Sequence, residues 1–459
     1  MEIRNSKPRL GIAPRRWHVP TRGSPLVAER NGFAVHHQLT YLRVVDGVNN
    51  QTSRVLTSKA SGCIPAVGSV HECLAAREGR GRVSLLIDSD THLFEPSGMW
   101  REYVDPADRD VALHMATDDL GYTWLMFGDR RLSLGGPHRP GDVDGIGAFR
   151  QRLVDGLPAE FDLEQFTASY SDPEARLLQL DSAGFDASIM FPNYGISWER
   201  PLQHDLRATL ANMTAWNRWI VEVAARGNGR LYPVAHLSLR DPVWLETQLE
   251  TLAEGGIRLG LIPPALVDGR PLSDPDLDRS WAAFVDHGIT PVFHVANQPR
   301  PFDEAWYGDD MEGGISPLSV VFIWTAAALA LTDLIFNGVL ERYPELRIGV
   351  MELSATWVPL HLQLMDGGYR HTARFNGESA ALSLMPSDYL RRQVRVAAFS
   401  YEQPRRLIKA AGDIFMACSD YPHTEGTQTA IKDYIESGIE PEESTARFFG
   451  GNAAYLLRE

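Results

Sequence analysis

From residue 83 onward, short apolar runs alternate with longer helical patterns eight times, and this alternation restricts the chain more than any other feature. Repeated strand–helix units favour a parallel sheet with helices on its outer faces. The candidate strands are Ser84 to Ser89, Asp186 to Phe191, Leu231 to Leu237, Ile257 to Ile262, Thr290 to His294, Leu346 to Met351, Val394 to Ala398 and Ile414 to Cys418. Between them, helices are expected over Glu174 to Ala183, Leu206 to Arg226, Pro242 to Glu254, Leu277 to Asp286, Pro317 to Tyr343, Trp357 to Met365 and Gln403 to Ala411. Eight units predict a (β/α)8 TIM barrel. An open doubly wound sheet is the alternative, but no Gly-rich phosphate loop follows any of the strands.

Two segments interrupt this rhythm. The first strand and the second are separated by far more than a simple βα connection, and the gap holds the Gly/Pro-rich stretch Gly135 to Gly145. Loops of that length in compact domains are usually functional or mobile, so residues of about 100–170 are expected to form a lid-like, substrate-selecting insertion or a variable surface loop. Asn297 to Pro317, with Trp306 and Tyr307, is a second candidate cover.

The first strand ends in Asp90-Thr-His92, two metal-capable side chains one residue apart, which a strand places on the same side. The last ends in Cys418-Ser-Asp420-Tyr-Pro-His423, and the fifth in His294. In a parallel barrel the C-terminal strand ends carry the chemistry. Asp90, His92, His294 and Asp420 therefore form a candidate site for one divalent ion, Zn²⁺ first and Mn²⁺ second. Glu352 at the end of the sixth strand is read as a general base or an anchor for a cationic group, against a salt bridge to a barrel arginine. His423 is read as a substrate-orienting or proton-relaying group, and His236, near the end of the third strand, as a weaker catalytic candidate. A lone histidine or aspartate of this kind is as often a satisfied core residue or a helix cap. Glu95, Arg176, Met416 and Cys418 are expected to be structural.

The motifs Asp90-Thr-His92…Glu95-Pro and Ser419-Asp-Tyr-Pro-His-Thr-Glu-Gly426, with Ser171-Asp-Pro-Glu-Ala-Arg176, Phe336 to Arg347 and Gly451-Asn-Ala-Ala454 in order between and after them, resemble the amidohydrolase superfamily. The similarity is to the branch of the aminocarboxymuconate semialdehyde decarboxylases and covers roughly residues 83–459. It implies one divalent metal at the matching positions, often with His where Asp90 stands here, and a homodimer. Many members carry a catalytic His where this chain has Glu352.

Charge separates the N-terminal piece. Residues 1–82 carry 13 Lys and Arg against 5 Asp and Glu, whereas the whole chain has a net charge of −15. This basic segment, without sustained periodicity, is expected to be disordered or an overextended start, with Val83 as the alternative initiation point. An acidic body without a basic run argues against nucleic acid as the main partner. The cysteines Cys63, Cys73 and Cys418 imply no disulfide framework and fit the cytoplasm. The apolar run Leu318 to Leu331 is shorter than the roughly 20 residues of a membrane span and is read as a buried or dimer-contact helix.

These readings predict a metal-dependent hydrolase that uses a metal-activated water with Asp420 as proton acceptor on a small organic substrate. The alternatives are a non-oxidative decarboxylase of an aromatic or unsaturated carboxylic acid and a catalytically silent metabolite-binding barrel.

Overall fold

The computed structural model describes residues 85–136, 138–160, 167–295, 298–306, 317–376 and 382–458. The chain divides into two units, residues 1–64 and 65–459, and every described residue belongs to the second. The expected N-terminal extension, Cys63, Cys73, Val83, Asn297 and Tyr307 lie outside the described residues.

The strands are β1 (Ile87–Leu93), β2 (His114–Thr117), β3 (Thr123–Phe127), β4 (Arg130–Leu134), β5 (Ala187–Pro192), β6 (Leu231–Pro233), β7 (Ala235–His236), β8 (Leu259–Leu261), β9 (Thr290–Phe293), β10 (Ile348–Val350), β11 (Val394–Ala397) and β12 (Phe415–Met416). All but β2–β4 lie in two parallel arcs, β1-β5-β6 and β12-β11-β10-β9-β8-β7. The single expected strand Leu231 to Leu237 is split at Val234, whose N–H donates to the Met190 carbonyl (2.8 Å). At the other junction, the N–H groups of Ser89, His92 and Asp420 donate to the carbonyls of Ala417 (3.0 Å), Tyr421 (2.7 Å) and Asp90 (2.8 Å). The architecture is a TIM-barrel-like α/β fold.

Local chemistry explains the helices. Asp172-Pro173 and Asp241-Pro242 each supply a capping carboxylate followed by a residue whose missing N–H costs nothing in the first turn: Asp172 accepts from Ala175 N, and Asp241 from Val243 N and Trp244 N. Leu206–Arg226, capped by Asp205, buries Ala208, Asn212, Ala215, Trp219 and Val223 at helical spacing against the strands.

Two buried layers follow from strand parity. Ile87, Ile189, Phe191, Leu259, Val292 and Met416 form an interior cluster with Ala453, Leu456 and Leu457 of the helix Asn452–Leu457. Leu93, Met190, Leu237 and Phe293 belong to the larger layer shared with the helices. Ile87 and Leu93 stand an even number of residues apart and should share a face, yet they lie in different clusters. The register of β1 against β5 slips between Asp88 and Thr91, and this irregularity exchanges the faces. Approach is tightest at Gly450, where a Cβ would lie 1.8 Å from the Leu85 carbonyl oxygen.

Three expectations need correction. Pro317 to Tyr343 is not one helix but three, Pro317–Val321, Thr325–Phe336 and Val339–Arg342, broken by a turn at 322–324 and by Gly338 in the left-handed conformation (φ 74°). The apolar stretch Pro317–Phe336 is also 20 residues, long and apolar enough by length and composition to cross a membrane, rather than too short. Its Asp333 carboxylate nevertheless accepts from Ser273 N (2.8 Å) and Oγ (2.7 Å), and Leu331, Leu334 and Ile335 are buried. The helix expected to stop at Met365 runs as Val358–Asn376 through Gly367 and Gly368; two glycines cost only about 2 kcal/mol of helix propensity.

The insertion has a structure of its own that the sequence reading missed. β2-β3-β4 form an antiparallel sheet, followed by the helix Val143–Val154, around a small core of Tyr122, Trp124 and Phe149. The β3–β4 hairpin turns at Gly128-Asp129, with Gly128 at φ 55°.

Candidate metal centre

The slip in β1 turns Asp90 and His92 toward the C-terminal mouth, where both are fully buried. His294 follows β9, Glu352 follows β10 and Asp420 follows β12. Glu352 (φ 49°) and Asp420 (φ 56°) occupy the left-handed region, uncommon for residues with a side chain, and such conformations cluster at functional sites.

Both turns are braced. Buried Glu402 accepts from Ser354 Oγ (2.7 Å), Ala355 N (2.8 Å) and Phe399 N (3.0 Å), fastening the bend beside Glu352 to the end of β11. Gly426 lies so close to the bend at Asp420 that a Cβ there would stand 2.3 Å from the Asp420 carbonyl oxygen.

Side-chain atoms from these strand ends converge. His92 Nε2 lies 3.8 Å from Asp90 Oδ1, 3.5 Å from Glu352 Oε2 and 3.3 Å from Asp420 Oδ1. His294 Nε2 lies 3.4 Å from Asp90 Oδ1 and 3.1 Å from Glu352 Oε2. Among the described residues, both carboxylate oxygens of Asp90, Asp420 Oδ2, Glu352 Oε2 and the Nε2 atoms of His92 and His294 are buried without a hydrogen-bond partner, while Asp420 Oδ1 has His423 Nδ1 2.9 Å away. Buried polar atoms are normally paired, so convergence of this many unpaired donors and acceptors fits a cation between them.

The histidine tautomers fit as well. His92 Nδ1 lies 3.0 Å from the Pro192 carbonyl and His294 Nδ1 3.0 Å from the Val295 carbonyl. Each Nδ1 must donate there, so in the neutral imidazole Nε2 presents its lone pair to the centre, as metal-ligating histidines require.

Electrostatics point the same way. Burial, assisted by the Asp420 charge, pushes the Asp90 carboxyl up despite the opposing histidines. Burial also works against charge on His294 and Glu352, but their mutual attraction outweighs it. Asp90 and Glu352 lift His294 well above the ordinary imidazole value, and His294 and His92 hold Glu352 well below the carboxylate range. The salt bridge of Glu352 to a barrel arginine is thus replaced by two histidines.

His423 stacks on His92 with ring centroids 3.7 Å apart. Its Nδ1 lies 2.9 Å from Asp420 Oδ1 and its Nε2 3.0 Å from Asn193 Oδ1. Burial disfavours its charge, but Asp420 prevails and the imidazole is raised to about 9. His236 is placed elsewhere: it is buried, its Nε2 lies 3.1 Å from Glu199 Oε2, and its ring packs on Trp198. The structure does not bring it into either of the two histidine–carboxylate groups that could hold an ion.

Glu95 and Arg176 serve the framework, as expected. Glu95 accepts from Tyr194 N (2.9 Å) and Gly195 N (2.7 Å). Arg176, fully buried, donates to the carbonyls of Ser169 (2.6 Å) and His92 (2.5 Å). Met416 and Cys418 are packed in the interior cluster.

Asn193, Glu402 and His138 escaped the sequence reading. His138 comes from the insertion; its carbonyl accepts from Tyr170 OH (2.7 Å) and its ring lies 5.6 Å from that of His423. Nearby, Gly141 N–H donates to the Thr424 carbonyl (2.9 Å), so the insertion is fastened to the loop that carries Asp420 and His423. Loops leaving β5, β7, β8 and β9 line a cleft of about 580 Å³ on the same strand-end face, with Glu199, Arg200, His204, Arg240, Asp268 and Pro299 on its walls.

The amidohydrolase family model matches residues 171–458. Among solved structures, the fold is similar to an amidohydrolase from Mycobacterium avium subsp. paratuberculosis K-10, with 24% identity and a TM-score of 0.66 over 82% of this chain and 99% of that one. It is also similar to 5-carboxyvanillate decarboxylase from Novosphingobium aromaticivorans DSM 12444 with bound manganese, with 20% identity and a TM-score of 0.56 over 82% and 97% of the chains. A 2,6-dihydroxybenzoate decarboxylase from Rhizobium matches with 15% identity and a TM-score of 0.53 over 82% and 99%. No curated protein matches the chain. The family model spans more than half of the sequence and ends beyond the last strand, so the chain belongs to the amidohydrolase family, whose members include metal-dependent hydrolases and decarboxylases.

Proposed function

We propose that the chain is a metal-dependent non-oxidative decarboxylase of a small aromatic or unsaturated carboxylic acid. The two arcs are read as one closed (β/α)8 barrel, with Asp90, His92, His294 and Asp420 holding a single divalent cation at its mouth. A cation bound there would supply positive charge to draw in the substrate carboxylate and an adjacent oxygen.

The observation that carries the reading is His423. Loss of CO2 leaves an electron pair on carbon that must take up a proton, and His423, stacked on His92 with its Nδ1 2.9 Å from Asp420 Oδ1, is a proton-carrying group placed to supply it. It lies beside the centre, with Asn193 fixing its far nitrogen. His423 then donates the proton, Asp420 orients it, and the imidazole regains its proton from solvent. The cleft between the β5, β7, β8 and β9 loops receives the body of the substrate, and the insertion acts as a cover that presents His138 beside His423. Glu199, on the cleft wall, serves as a binding group, oriented by buried His236, whose Nε2 lies 3.1 Å from its Oε2.

Hydrolysis is the second reading. It is favoured by the carboxylate at Glu352, where the sequence alone tips toward a hydrolase, and would use Asp420 as the proton acceptor from water. Resemblance in fold to several decarboxylases supports the first reading over it. Homodimerisation is assigned to the stretch beginning at Pro317, where Val320, Val321 and Leu329 are exposed apolar residues.

The test is a panel of hydroxybenzoates and unsaturated acids, with matched esters and amides, incubated with Mn²⁺- or Zn²⁺-loaded protein in H₂¹⁸O. Decarboxylation predicts CO2 release with no ¹⁸O in the organic product, and loss of turnover in His423→Asn. Ester or amide cleavage with ¹⁸O incorporation, and no CO2 from any acid, would replace the first reading by the second.

A further inference from the structure

We infer that Glu352 is a fifth ligand of the ion, so that the centre presents three carboxylates and two imidazoles. The inference rests on the metal reading above and extends it. Bonds of roughly 2.1 Å from oxygen or nitrogen donors place two ligand atoms roughly 3.0 Å apart at a right angle and roughly 4.2 Å apart across the ion. The Glu352 separations, 3.1 Å to His294 Nε2 and 3.5 Å to His92 Nε2, fall inside this window, as do the 3.3–3.8 Å separations among the expected ligands. Glu352 Oε2 is buried and has no hydrogen-bond partner. A general base or an anchor for a cationic substrate group would instead face the substrate space. Here the carboxylate oxygen is directed at both Nε2 atoms, an approach that requires a proton or a cation between them.

Two consequences follow. Three anionic oxygens and two nitrogens exceed the four-coordinate preference of Zn²⁺ and suit a six-coordinate ion such as Mn²⁺ with one position open. Glu352 also ceases to be available as a base, and His423 becomes the remaining proton-handling group at the centre.

The experiment uses the full chain stripped of metal and titrated separately with Mn²⁺ and Zn²⁺, alongside Glu352→Gln and an Asp90→Ala/His92→Ala control. Mn²⁺ affinity should fall roughly tenfold or more in Glu352→Gln, and Zn²⁺ affinity should fall less, so the Mn²⁺/Zn²⁺ preference shifts. A second measurement needs no variant: in wild-type protein labelled with ¹³C at the glutamate carboxylates, electron–nuclear double resonance of bound Mn²⁺ should show a strong ¹³C coupling, since the other expected ligands are Asp and His. Unchanged affinities in Glu352→Gln, or Mn²⁺ bound without that coupling, overturn the assignment while leaving the four-ligand centre intact. Failure of the wild type to bind either metal removes the metal reading itself, and the assignment with it.

Discussion

Arg176 is fully buried and spends its guanidinium on main-chain carbonyls, so its removal has a calculable effect on stability. Arg176→Met keeps the aliphatic stem and deletes the guanidinium, leaving the Ser169 and His92 carbonyls without their donor. Each orphaned carbonyl costs about 1–3 kcal/mol, and the lost stacking over the Tyr421 ring, 5.0 Å away, costs about 1 kcal/mol more. Against this stands the cost of burying the charge, which lowers Arg176 from 12.5 to about 10 and corresponds to about 3 kcal/mol. The balance is a destabilisation of about 2 kcal/mol. With an unfolding entropy of about 2.1 cal/mol/K per residue over roughly 375 residues, Tm falls by roughly 3 °C. Urea titration and calorimetry of the two proteins at pH 7 measure it. A variant as stable as the wild type, or more so, would refute the reasoning, because it would mean that burial of the charge outweighs everything the guanidinium holds together.

Two further outcomes are expected. In metal-free protein, the His423 imidazole should titrate near 9 by ¹⁵N-histidine NMR and return to the ordinary range or below in Asp420→Asn; because the folded value is raised, its contribution to stability is complete below about 6.5 and disappears as pH rises through 9, and an unshifted His423 in wild type contradicts the pairing. Gly450→Ala forces a Cβ into the Leu85 carbonyl and should destabilise by about 3 kcal/mol or more, giving little soluble protein, whereas a near-neutral change would mean that β1 and the segment after β12 are not packed as described.

The regular part of the fold was legible because each local signal agrees with the next. Asp-Pro pairs mark helix starts at 172–173 and 241–242, and apolar runs such as Pro291-Val-Phe293 are too short to be anything but buried strands. The three-stranded insertion was not legible, because its strands mix polar and half-buried residues and only the Gly128-Asp129 turn advertises a hairpin. At the centre, Asp90, His92, His294, Glu352 and Asp420 could be named because strand ends expose them to one another whatever the loops do. Asn193, Glu402 and His138 could not, since each acts through a partner 48 to 285 residues away whose position only the folded chain determines. His236 illustrates the converse: its strand-end position resembles that of His294, yet its neighbours turn it toward Glu199.

The slipped register in β1 separates what makes the molecule stable from what makes it reactive. Straightening the strand with every residue kept would carry Asp90 and His92 round to the helix-facing layer, whereas excising the extra residue, Ser89, would leave a regular pleat in which Ile87, Asp90 and His92 still share the interior face. A lineage could therefore lose Ser89 through a single codon deletion and keep both its scaffold and the direction of its ligands. The extra residue thus reconciles the inward face of Ile87 with that of His92, and a relative without it is expected to keep both ligands aimed at the centre.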